Sequence, residues 1–496
     1  MKPKQRIAFI IPGHMKKMRF LSSDLGLRLL ERFSHFVFYN TGTLQLASIM
    51  KHRGHEVSLV FDDGRNVSPR QIDAEVICLS LTTAAAPRGY EIAQMFADRT
   101  VIIGGPHASA LPAEAAEHAD HVVIGEGEHV LPRIIDGEID GRIVNAGLLQ
   151  DLDGIPYLDF SLLPFKPKNF PIVTSRGCPF DCCFCAVTKM FGRKVRMRSP
   201  ESIVNEIKHY VRKHGEVERL DLISPNFTIQ RKHCIQVLER LLAEGIRPAL
   251  EIRTSTHIHN DTVIPELLSQ FPVVSMLVGA ESFEQEALDY YKKKRSEDDF
   301  RVFMKRMKDY GFNVVTSFIW GNKFDTPDSM WRLLDNIYEL DPSHFQVGLL
   351  TPFPGTALYE EVRDDIFVDD WSYYDVMHVT HFHPKMDPLT MQTTWLKAQK
   401  QMWSLRSLAK RYRTLFSPPI NKLFYWVLSR FAEAEFADFL EFLKGVEKPR
   451  QAAQHAPAMR ASGERQHGEY SRLPAPHPAT SELAASQLAP LRRRGG

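Results

Sequence analysis

Three closely spaced cysteines are the residues of this sequence best suited to chemistry. Cys178, Cys182 and Cys185 follow the spacing C-x3-C-x2-C. Thiolates commonly hold iron–sulfur clusters, and three of them on one loop leave the fourth iron of a [4Fe–4S] cube open to another molecule. A zinc site is the alternative, but zinc needs a fourth ligand and no second Cys or His pair follows closely. The spacing therefore predicts a [4Fe–4S] cluster with an open iron.

The remaining cysteines are expected to have no part in this cluster. Cys183 is adjacent to Cys182, which already fills the ligand spacing. Cys78 and Cys234 lie in apolar surroundings and are expected to be buried, as small apolar residues are. Six cysteines in 496 residues do not form a disulfide framework. Such cysteine usage suits a reducing compartment, so we expect a cytoplasmic protein.

The residues around the cysteine loop indicate a partial (β/α)6 barrel over residues 172–362. Apolar strands alternate there with amphipathic helices, and the strands are expected to end near Ser175, Ile223, Arg253, Val278, Trp320 and Leu350. Groups that do chemistry in such barrels lie at the carboxyl ends of the strands. The cysteines follow the first of these strands, so they are expected at that end.

A second α/β region precedes the barrel. Residues 1–150 are predicted to form a Rossmann-like parallel sheet with crossover helices. Its five expected strands cover residues 7–11, 57–60, 76–81, 101–105 and 121–125. Glycines follow several of them, and open parallel sheets bind ligands in the crevice at the carboxyl ends of their strands. This region is therefore expected to bind a cofactor.

The other segments are simpler. Residues 151–171 contain several prolines and are predicted to be a linker, and residues 363–446 are predicted to be a helical C-terminal region. Residues 447–496 have too little apolar content to fold alone and are expected to be disordered. The aromatic stretch 415–443 is interpreted as a helix packed on the barrel, with a lipid channel or a helix on a membrane surface as alternatives.

Composition excludes several classes of function. The net charge of +2 gives no reason to expect a nucleic-acid partner. An apolar stretch of about 18 residues would be needed for a transmembrane helix, and the sequence contains none. The bulk properties therefore indicate a globular protein with a sizeable core.

Together, the motifs resemble the branch of the radical S-adenosylmethionine (SAM) superfamily that carries a cobalamin-binding domain. Besides the cysteine loop, the matching elements are G-x-E-S at residues 279–282, F-I-x-G followed by D-T-P at 318–327, and P-F-P-G-T at 352–356. In this family SAM chelates the open iron through its amino and carboxylate groups. The reduced cluster then cleaves SAM to a 5′-deoxyadenosyl radical.

The resemblance implies SAM contacts at strand ends. Glu281 would accept hydrogen bonds from the ribose hydroxyls, with Ser282 beside it, and Arg253 would reach the SAM carboxylate. Relatives usually have an acidic pair where Ser-Pro stands at 224–225, so Asn226 or a backbone carbonyl would hold the SAM ammonium. Alternatively, Ser282 caps a helix with Glu281 in solvent, and Arg253 forms a surface ion pair.

The N-terminal region resembles the cobalamin-binding domain of the same branch. The residues that the resemblance assigns to cobalamin follow the strands of this region: Ser80, Thr82, Gly104, Gly105, Pro106, His107, Gly125, Glu126 and Gly127. The D-x-H-x-x-G motif, whose histidine binds cobalt in many cobalamin proteins, is absent. His14 follows the first strand but lacks the Asp and Gly partners, so it is expected to be a solvent-exposed loop residue.

A further pattern of histidines lies in the C-terminal region. His378, His381 and His383 form H-x-x-H-x-H without cysteine or glutamate partners at helical spacing. A metal site is one reading of this pattern. The favoured interpretation is a polar loop under the barrel mouth.

The resemblance implies a cobalamin-dependent methyltransferase. One SAM would methylate cobalamin, and a second SAM would give the radical that activates an unactivated carbon of a small-molecule or lipid-like substrate. The enzyme would need an electron donor such as flavodoxin or ferredoxin. A cobalamin-associated cyclase or oxidase of a tetrapyrrole-like substrate is the alternative. A third hypothesis is a cobalamin- or redox-sensing protein without enzymatic activity. The catalytic residue and the identity of the substrate stay open.

The cluster assignment gives the first testable prediction. Replacing Cys178, Cys182 or Cys185 by alanine should abolish the iron–sulfur absorbance, because each change removes a ligand. Cys183→Ala is the matched control and should retain the absorbance. Iron content and visible spectra of anaerobically reconstituted protein measure both outcomes. If Cys183→Ala lost as much iron as Cys182→Ala, the ligand assignment would be wrong.

Overall fold

Two parallel β-sheets, each covered by helices, make up most of the chain. A computed structural model describes residues 4–13, 41–62, 67–164, 169–215, 217–404, 407 and 436–447. The predicted loop residue His14, residues 415–435 of the helix predicted over 415–443, and residues 448–496 of the predicted disordered tail lie outside the described residues. The described chain contains no helix that is long and apolar enough to cross a membrane.

The N-terminal sheet has six parallel strands. They are β1 (Arg6–Ile11), β2 (Glu56–Phe61), β3 (Val76–Ser80), β4 (Thr100–Gly104), β5 (His121–Gly125) and β6 (Ile143–Gly147). Their spatial order is β2-β1-β3-β4-β5-β6. The order reverses between β1 and β3, and such a switch point is where doubly wound sheets bind ligands. The predicted Rossmann-like class is confirmed.

Short helices connect these strands. They are α1 (Thr41–His52), α2 (Ala86–Met95), α3 (Pro106–Ala110), α4 (Pro112–Ala116) and α5 (Leu131–Ile135). Both faces of the sheet are buried, because Ile7 and Phe9 pack on one side while Ala8 and Ile10 pack on the other. Burial on both faces is typical of parallel sheets covered by crossover helices.

The second sheet also has six parallel strands. They are β7 (Asn169–Val173), β10 (Arg219–Ile223), β11 (Ala249–Thr254), β12 (Val274–Glu281), β13 (Asn313–Trp320) and β14 (His344–Leu349). They lie side by side in chain order, with β7 and β14 at the two edges. This arrangement confirms the predicted partial (β/α)6 barrel.

Helices of the barrel alternate with its strands. They are α6 (Val187–Phe191), α7 (Pro200–His214), α8 (Arg231–Ala243), α9 (Val263–Leu268), α10 (Gln285–Tyr290), α11 (Glu297–Asp309), α12 (Pro327–Leu340) and α13 (Ala357–Glu361). Local sequence sets several of their starts. Ser199 and Thr326, for example, cap α7 and α12 through their side-chain oxygens, as N-cap residues do.

The described part of the C-terminal region, predicted to be helical over 363–446, is irregular over residues 363–387 and then contains two helices. Helices α14 (Pro388–Met402) and α15 (Ala437–Lys444) follow a segment of loops and 3-10 turns. Trp395 of α14 is buried, and its indole N–H donates to the carbonyl of Val347 at 2.9 Å. The region is therefore attached to the outer strand of the barrel.

Two strands, β7 and β6, differ from the sequence-based expectation. Strand β7 begins at Asn169, within the predicted linker. The sequence did not indicate this start, because Asn169 is polar and Pro171 interrupts the apolar residues. Strand β6 was not predicted. It is a half-exposed edge strand, and only Ala146 of its residues is buried, so it lacks the apolar pattern of the central strands.

Gly105 provides a test of this fold. Its backbone angles, φ 96° and ψ −179°, belong to a region that is essentially restricted to glycine. A Cβ there would also lie 2.7 Å from the amide nitrogen of Leu81. Gly105→Ala should therefore lower the free energy of unfolding by about 1–3 kcal/mol.

Gly137→Ala is the matched control, since Gly137 has φ 69° but open space around its Cβ position. Urea unfolding of both variants measures the difference. Equal losses would show that the close approach of Leu81 to Gly105 has no energetic effect.

Candidate functional site

A cavity of about 650 Å³ lies where the carboxyl ends of the two sheets meet. This volume is in the range of pockets that bind small molecules and cofactors. The N-terminal sheet contributes residues that follow its strands: Ser80, Thr82, Gly104, Gly105, Pro106, Gly125, Glu126 and Gly127. Across the cavity, the barrel contributes Val173, Ser175, Ile223 and Arg253. One cavity is therefore shared by the ligand-binding ends of both sheets.

Close backbone approaches shape the N-terminal side of this cavity. A Cβ on Gly105 would meet Leu81 and the hydroxyl of Ser80, and a Cβ on Gly125 would lie 2.6 Å from the carbonyl oxygen of Gly147. Both glycines have positive φ angles, which glycine adopts readily. No side chain fits at either glycine, so bare backbone lines this part of the cavity, which is called its floor below.

A buried ion network joins the two sides. Glu126 accepts two hydrogen bonds from Arg196, Nη1–Oε2 at 2.6 Å and Nη2–Oε1 at 2.7 Å. The neighbouring pair, Arg176 Nη2 and Glu128 Oε1, is 2.6 Å apart. Glu126 also accepts from the amide of Leu149 at 2.6 Å. Glu126 therefore lines the cavity and at the same time binds the barrel.

The cysteine loop begins at a two-residue antiparallel pair. Strands β8 (Ser175–Arg176) and β9 (Arg196–Met197) form this pair, and the loop closes on it because the amide of Cys178 donates to the carbonyl of Gly192 at 3.1 Å. Gly177 has φ 89°, and a Cβ there would be 2.2 Å from the carbonyl oxygen of Lys194. Glycine is therefore required immediately before the first cysteine.

The three predicted ligands have similar surroundings. Cys178, Cys182 and Cys185 are partly buried free thiols, and burial raises the pKa of each. Each thiol is also near enough to another of the three to raise its pKa, whereas the ammonium of Lys293 lowers all three. The three thiols thus share a nearby cation, which favours their thiolate forms, but their side chains are not grouped around a single metal position in the described residues.

Cys183 has a different environment. It is 5% exposed and packs with Ala287, Tyr291 and Leu358, and burial raises the pKa of its thiol to about 11. Its carbonyl accepts a hydrogen bond from the amide of Leu358 at 2.9 Å. Cys183 thus attaches the loop to the segment after β14, and its exclusion from the ligand set stays a prediction.

Glu281 lies beside the cysteine loop. It is 6% exposed, and it has φ 59° at a bulge in β12. Its Oε1 is 2.8 Å from Nζ of Lys293. Burial lowers the pKa of Lys293, but the Glu281 carboxylate outweighs this effect and the pKa lies above its usual value. The structure therefore contradicts the alternative interpretation, in which Glu281 is exposed to solvent.

Ser282 does not cap the following helix. Helix α10 begins at Gln285 without a side-chain cap, and the Ser282 hydroxyl instead accepts from the amide of Glu284 at 3.0 Å. The helix starts later than the alternative reading required, because residues 282–284 complete the turn after the bulge of β12.

Arg253 and Asn226 are already bonded within the protein. Arg253 lines the cavity and donates through both Nη atoms to the carboxylate of Asp221. Nδ2 of Asn226 donates to the hydroxyl of Ser255 at 3.0 Å, and its Oδ1 accepts from Thr228 at 3.2 Å. The ion pair considered for Arg253 is thus present, though partly buried rather than on the surface.

His107, unlike the other residues predicted to bind cobalamin, does not line the cavity. Its ring is fully buried, and Nε2 is 3.1 Å from the Glu114 carboxylate. Tyr90 and the indole N–H of Trp371 donate to the same carboxylate, each at 3.0 Å. His107 therefore belongs to a cluster that attaches the C-terminal region to the N-terminal sheet.

The three C-terminal histidines lie in a loop segment, as predicted, and all three are buried. His378 is 2.9 Å from Asp375, and His383 Nε2 donates to the carbonyl of Asn322 at 2.6 Å. Burial lowers the pKa of His381 to about 4. Within the described residues, no three His, Cys, Asp or Glu side chains are grouped around a single metal position.

Several residues of the site were missed by the sequence analysis. They are Arg176, Arg196, Glu128 and Lys293. The basic run at residues 292–295 was a signal for Lys293. No signal in the sequence pointed to Arg176 or Arg196, because their partners lie about 50 to 70 residues earlier in the sequence.

The fold and the cysteine loop define a radical SAM protein with an N-terminal cofactor-binding sheet. The family described as the Radical SAM superfamily matches residues 172–337, and the B12 binding domain matches residues 34–135. The chain belongs to the radical SAM enzymes that carry a cobalamin-binding domain. Its cofactors are therefore a [4Fe–4S] cluster, SAM and cobalamin.

Individual relatives agree with this assignment. The chain is 26% identical over 387 residues to the bacteriochlorophyllide d C-8(2)-methyltransferase of Chlorobaculum tepidum. The aligned region covers 73% of this chain and 85% of that protein. It is 26% identical over 308 residues to the anaerobic magnesium-protoporphyrin IX monomethyl ester cyclase of Cereibacter sphaeroides. That alignment covers 55% of this chain and 50% of the cyclase.

A solved structure shares the fold. The radical SAM methyltransferase TsrM from Kitasatospora setae, with cobalamin and a [4Fe–4S] cluster bound, superposes with a TM-score of 0.59 at 14% identity. The superposition covers 89% of this chain and 99% of TsrM. Both sheets and their connection thus follow a known arrangement.

The position of Glu281 gives a prediction for SAM binding. A carboxylate bonded to the SAM ribose contributes about 1.5–3 kcal/mol through charge-assisted hydrogen bonds. Glu281→Gln should therefore weaken SAM binding by roughly tenfold or more, with no loss of iron because no cysteine is changed. Equilibrium dialysis with labelled SAM and an iron assay on one preparation measure both effects.

Glu286→Gln is the matched control, because Glu286 is an exposed carboxylate on α10. This variant should bind SAM normally. Normal SAM binding by Glu281→Gln would show that Glu281 has only a structural role with Lys293.

Proposed function

We propose that this protein methylates an unactivated carbon of an apolar small molecule, with cobalamin as the methyl carrier. The single observation that carries the proposal is the shared cavity between the ends of β3, β4 and β5 and the ends of the barrel strands. Methyl transfer from cobalamin to a carbon radical requires both cofactors at one site, since reacting groups must be held in contact.

The residues present fit the three cofactors. Cys178, Cys182 and Cys185 would hold the cluster, and the side-chain-free floor at Gly105 and Gly125 would receive the flat cobalamin ring. The cluster would supply the electron that cleaves SAM, and cobalamin would supply the methyl group. The chain itself binds, orients and shields these groups, as proteins do for cofactors that carry difficult chemistry.

The charges beside the cysteine loop support a SAM site there. Glu281 would accept from the ribose, while Lys293 neutralises it. Arg295 donates through Nη2 to the carbonyl of Ala280, and its buried Nε and Nη1 have no hydrogen-bond partner in the described residues. Arg295 is thus better suited than the Asp221-bonded Arg253 to hold the SAM carboxylate. The ammonium would be held by Asn226 after rearrangement, or by a backbone carbonyl.

The substrate class follows from the cavity and from relatives. The barrel side of the cavity is largely apolar, with Val173, Val187, Met190 and Phe191. Two of the relatives named above act, by their names, on tetrapyrroles. We therefore propose a polycyclic or lipid-like apolar substrate. An acidic one-electron protein such as flavodoxin or ferredoxin would reduce the cluster, and the reducing cytoplasm would preserve the free cysteines.

A second candidate is oxidative cyclisation of a tetrapyrrole-like substrate. The cyclase relative is as similar in identity, 26%, as the methyltransferase relative. The same two domains would then activate a carbon without methylating it.

The test is anaerobic incubation of cluster- and cobalamin-loaded protein with SAM, a reductant and a candidate tetrapyrrole or polycyclic lipid. Methylation predicts 5′-deoxyadenosine, S-adenosylhomocysteine and a product heavier by one methylene unit. Cyclisation predicts a product that has lost hydrogen and no S-adenosylhomocysteine. Cys182→Ala is the inactive control. Failure of the intact protein to release 5′-deoxyadenosine with SAM and dithionite would contradict both functions.

A further inference from the structure

Four buried charged residues connect the floor of the shared cavity to the base of the cysteine loop. Glu126 and Glu128 follow β5 of the N-terminal sheet, and Arg176 and Arg196 face each other on β8 and β9 of the barrel side. The side chains of Glu126 and Arg196 are only 1% and 4% exposed. Those of Arg176 and Glu128 are 11% and 9% exposed. The network is therefore almost completely removed from water.

Each end of the network lies at a cofactor site. Glu126, Glu128 and Arg176 line the cavity. Arg176 is two residues before Cys178, and Arg196 also donates to the carbonyl of Phe191, in the segment that closes the cysteine loop, at 2.9 Å. A shift of the loop after β5 is thus transmitted to both strands from which the cysteine loop emerges.

The physical chemistry of the pairs makes this connection stiff. A buried charge that loses its partner is strongly destabilised, so the four charges must move together. The bidentate geometry of Glu126 and Arg196 fixes the relative orientation of the two planar groups. Arg176 adds a weaker contact with Glu126 at 3.6 Å, which links the two pairs.

We propose that Glu126, Arg196, Glu128 and Arg176 are positioning residues that couple occupancy of the cobalamin site to occupancy of the cluster site. A ligand in the cavity fixes the loop after β5, and the ion network then holds β8 and β9 in place. Because the cysteine loop emerges from these two strands, it loses less conformational freedom when the cluster assembles. By linkage, the cluster must favour cobalamin by the same factor. The inference rests on the proposed function only in taking the cavity as the cobalamin site.

The experiment compares the dissociation constant of hydroxocobalamin for the full chain with its reconstituted cluster and after removal of iron by a chelator. In the unmodified protein, loss of the cluster should weaken binding about fivefold or more. In Glu126→Gln this ratio should fall toward one, because the amide cannot hold Arg196 as an ion pair. The reciprocal readout is the rate of iron loss to the chelator with and without hydroxocobalamin.

Glu206→Gln is the matched control. Glu206 is an equally buried carboxylate that pairs with Arg198 two residues from Arg196, but both partners lie in the barrel. It should keep the ratio of the unmodified protein. Glu128→Gln, at a less buried position, is the second variant if Glu126→Gln does not fold, and it should lower the ratio in the same direction.

The outcomes separate the two proposals. If the unmodified protein did not bind hydroxocobalamin, the assignment of the cavity, and with it the proposed function, would fail. If it bound with a ratio of one, or if Glu126→Gln and Glu128→Gln kept the ratio, only the coupling would be overturned. A ratio lowered equally by Glu206→Gln would also overturn it, because any buried ion pair would then have the same effect.

Discussion

The structure depends on one constraint: the carboxyl ends of two parallel sheets must face each other across a single cavity. The Glu126–Arg196 pair satisfies it, with two hydrogen bonds of 2.6 and 2.7 Å between the two sides. Parallel sheets expose loops, helix starts and backbone N–H groups at this end, so it is the end that binds ligands in both fold types. Placing two such ends together lets two cofactors meet without a long connecting channel.

Close backbone contacts are the second requirement. Gly105 and Gly125 at the cavity and Gly177 at the start of the cysteine loop occupy positions where a Cβ would lie 2.2–2.8 Å from backbone atoms. The cavity and the cysteine loop are therefore shaped by the absence of side chains as much as by their presence. These contacts explain why glycine stands at positions 105 and 125. His107, also assigned to cobalamin, instead contacts Glu114, which binds the C-terminal region through Trp371.

Electrostatics divides the site into two parts. The cavity has balanced charges, because Glu126 and Glu128 are matched by Arg176 and Arg196, and Arg253 is matched by Asp221. The surroundings of the cysteine loop are cationic, since Lys293 and Arg295 lie near three thiols and one carboxylate. Cluster thiolates and the carboxylate of SAM are anions, so this positive region offsets the charge that the loop must accommodate. The largely apolar cavity suits a methyl carrier and an uncharged carbon.

The sequence by itself determined both sheets, their order along the chain and the cysteine loop, because apolar strands and ligand spacing are local patterns. It also determined that Cys183 differs from its neighbours. It did not determine the edge strand β6, the burial of His378, His381 and His383, or the partners of Arg253. Only the tertiary structure brought Arg196 to Glu126, 70 residues away, and Lys293 to Glu281. Such pairs depend on how two sheets are packed, and the charge of a residue in the sequence does not specify which opposite charge it will meet.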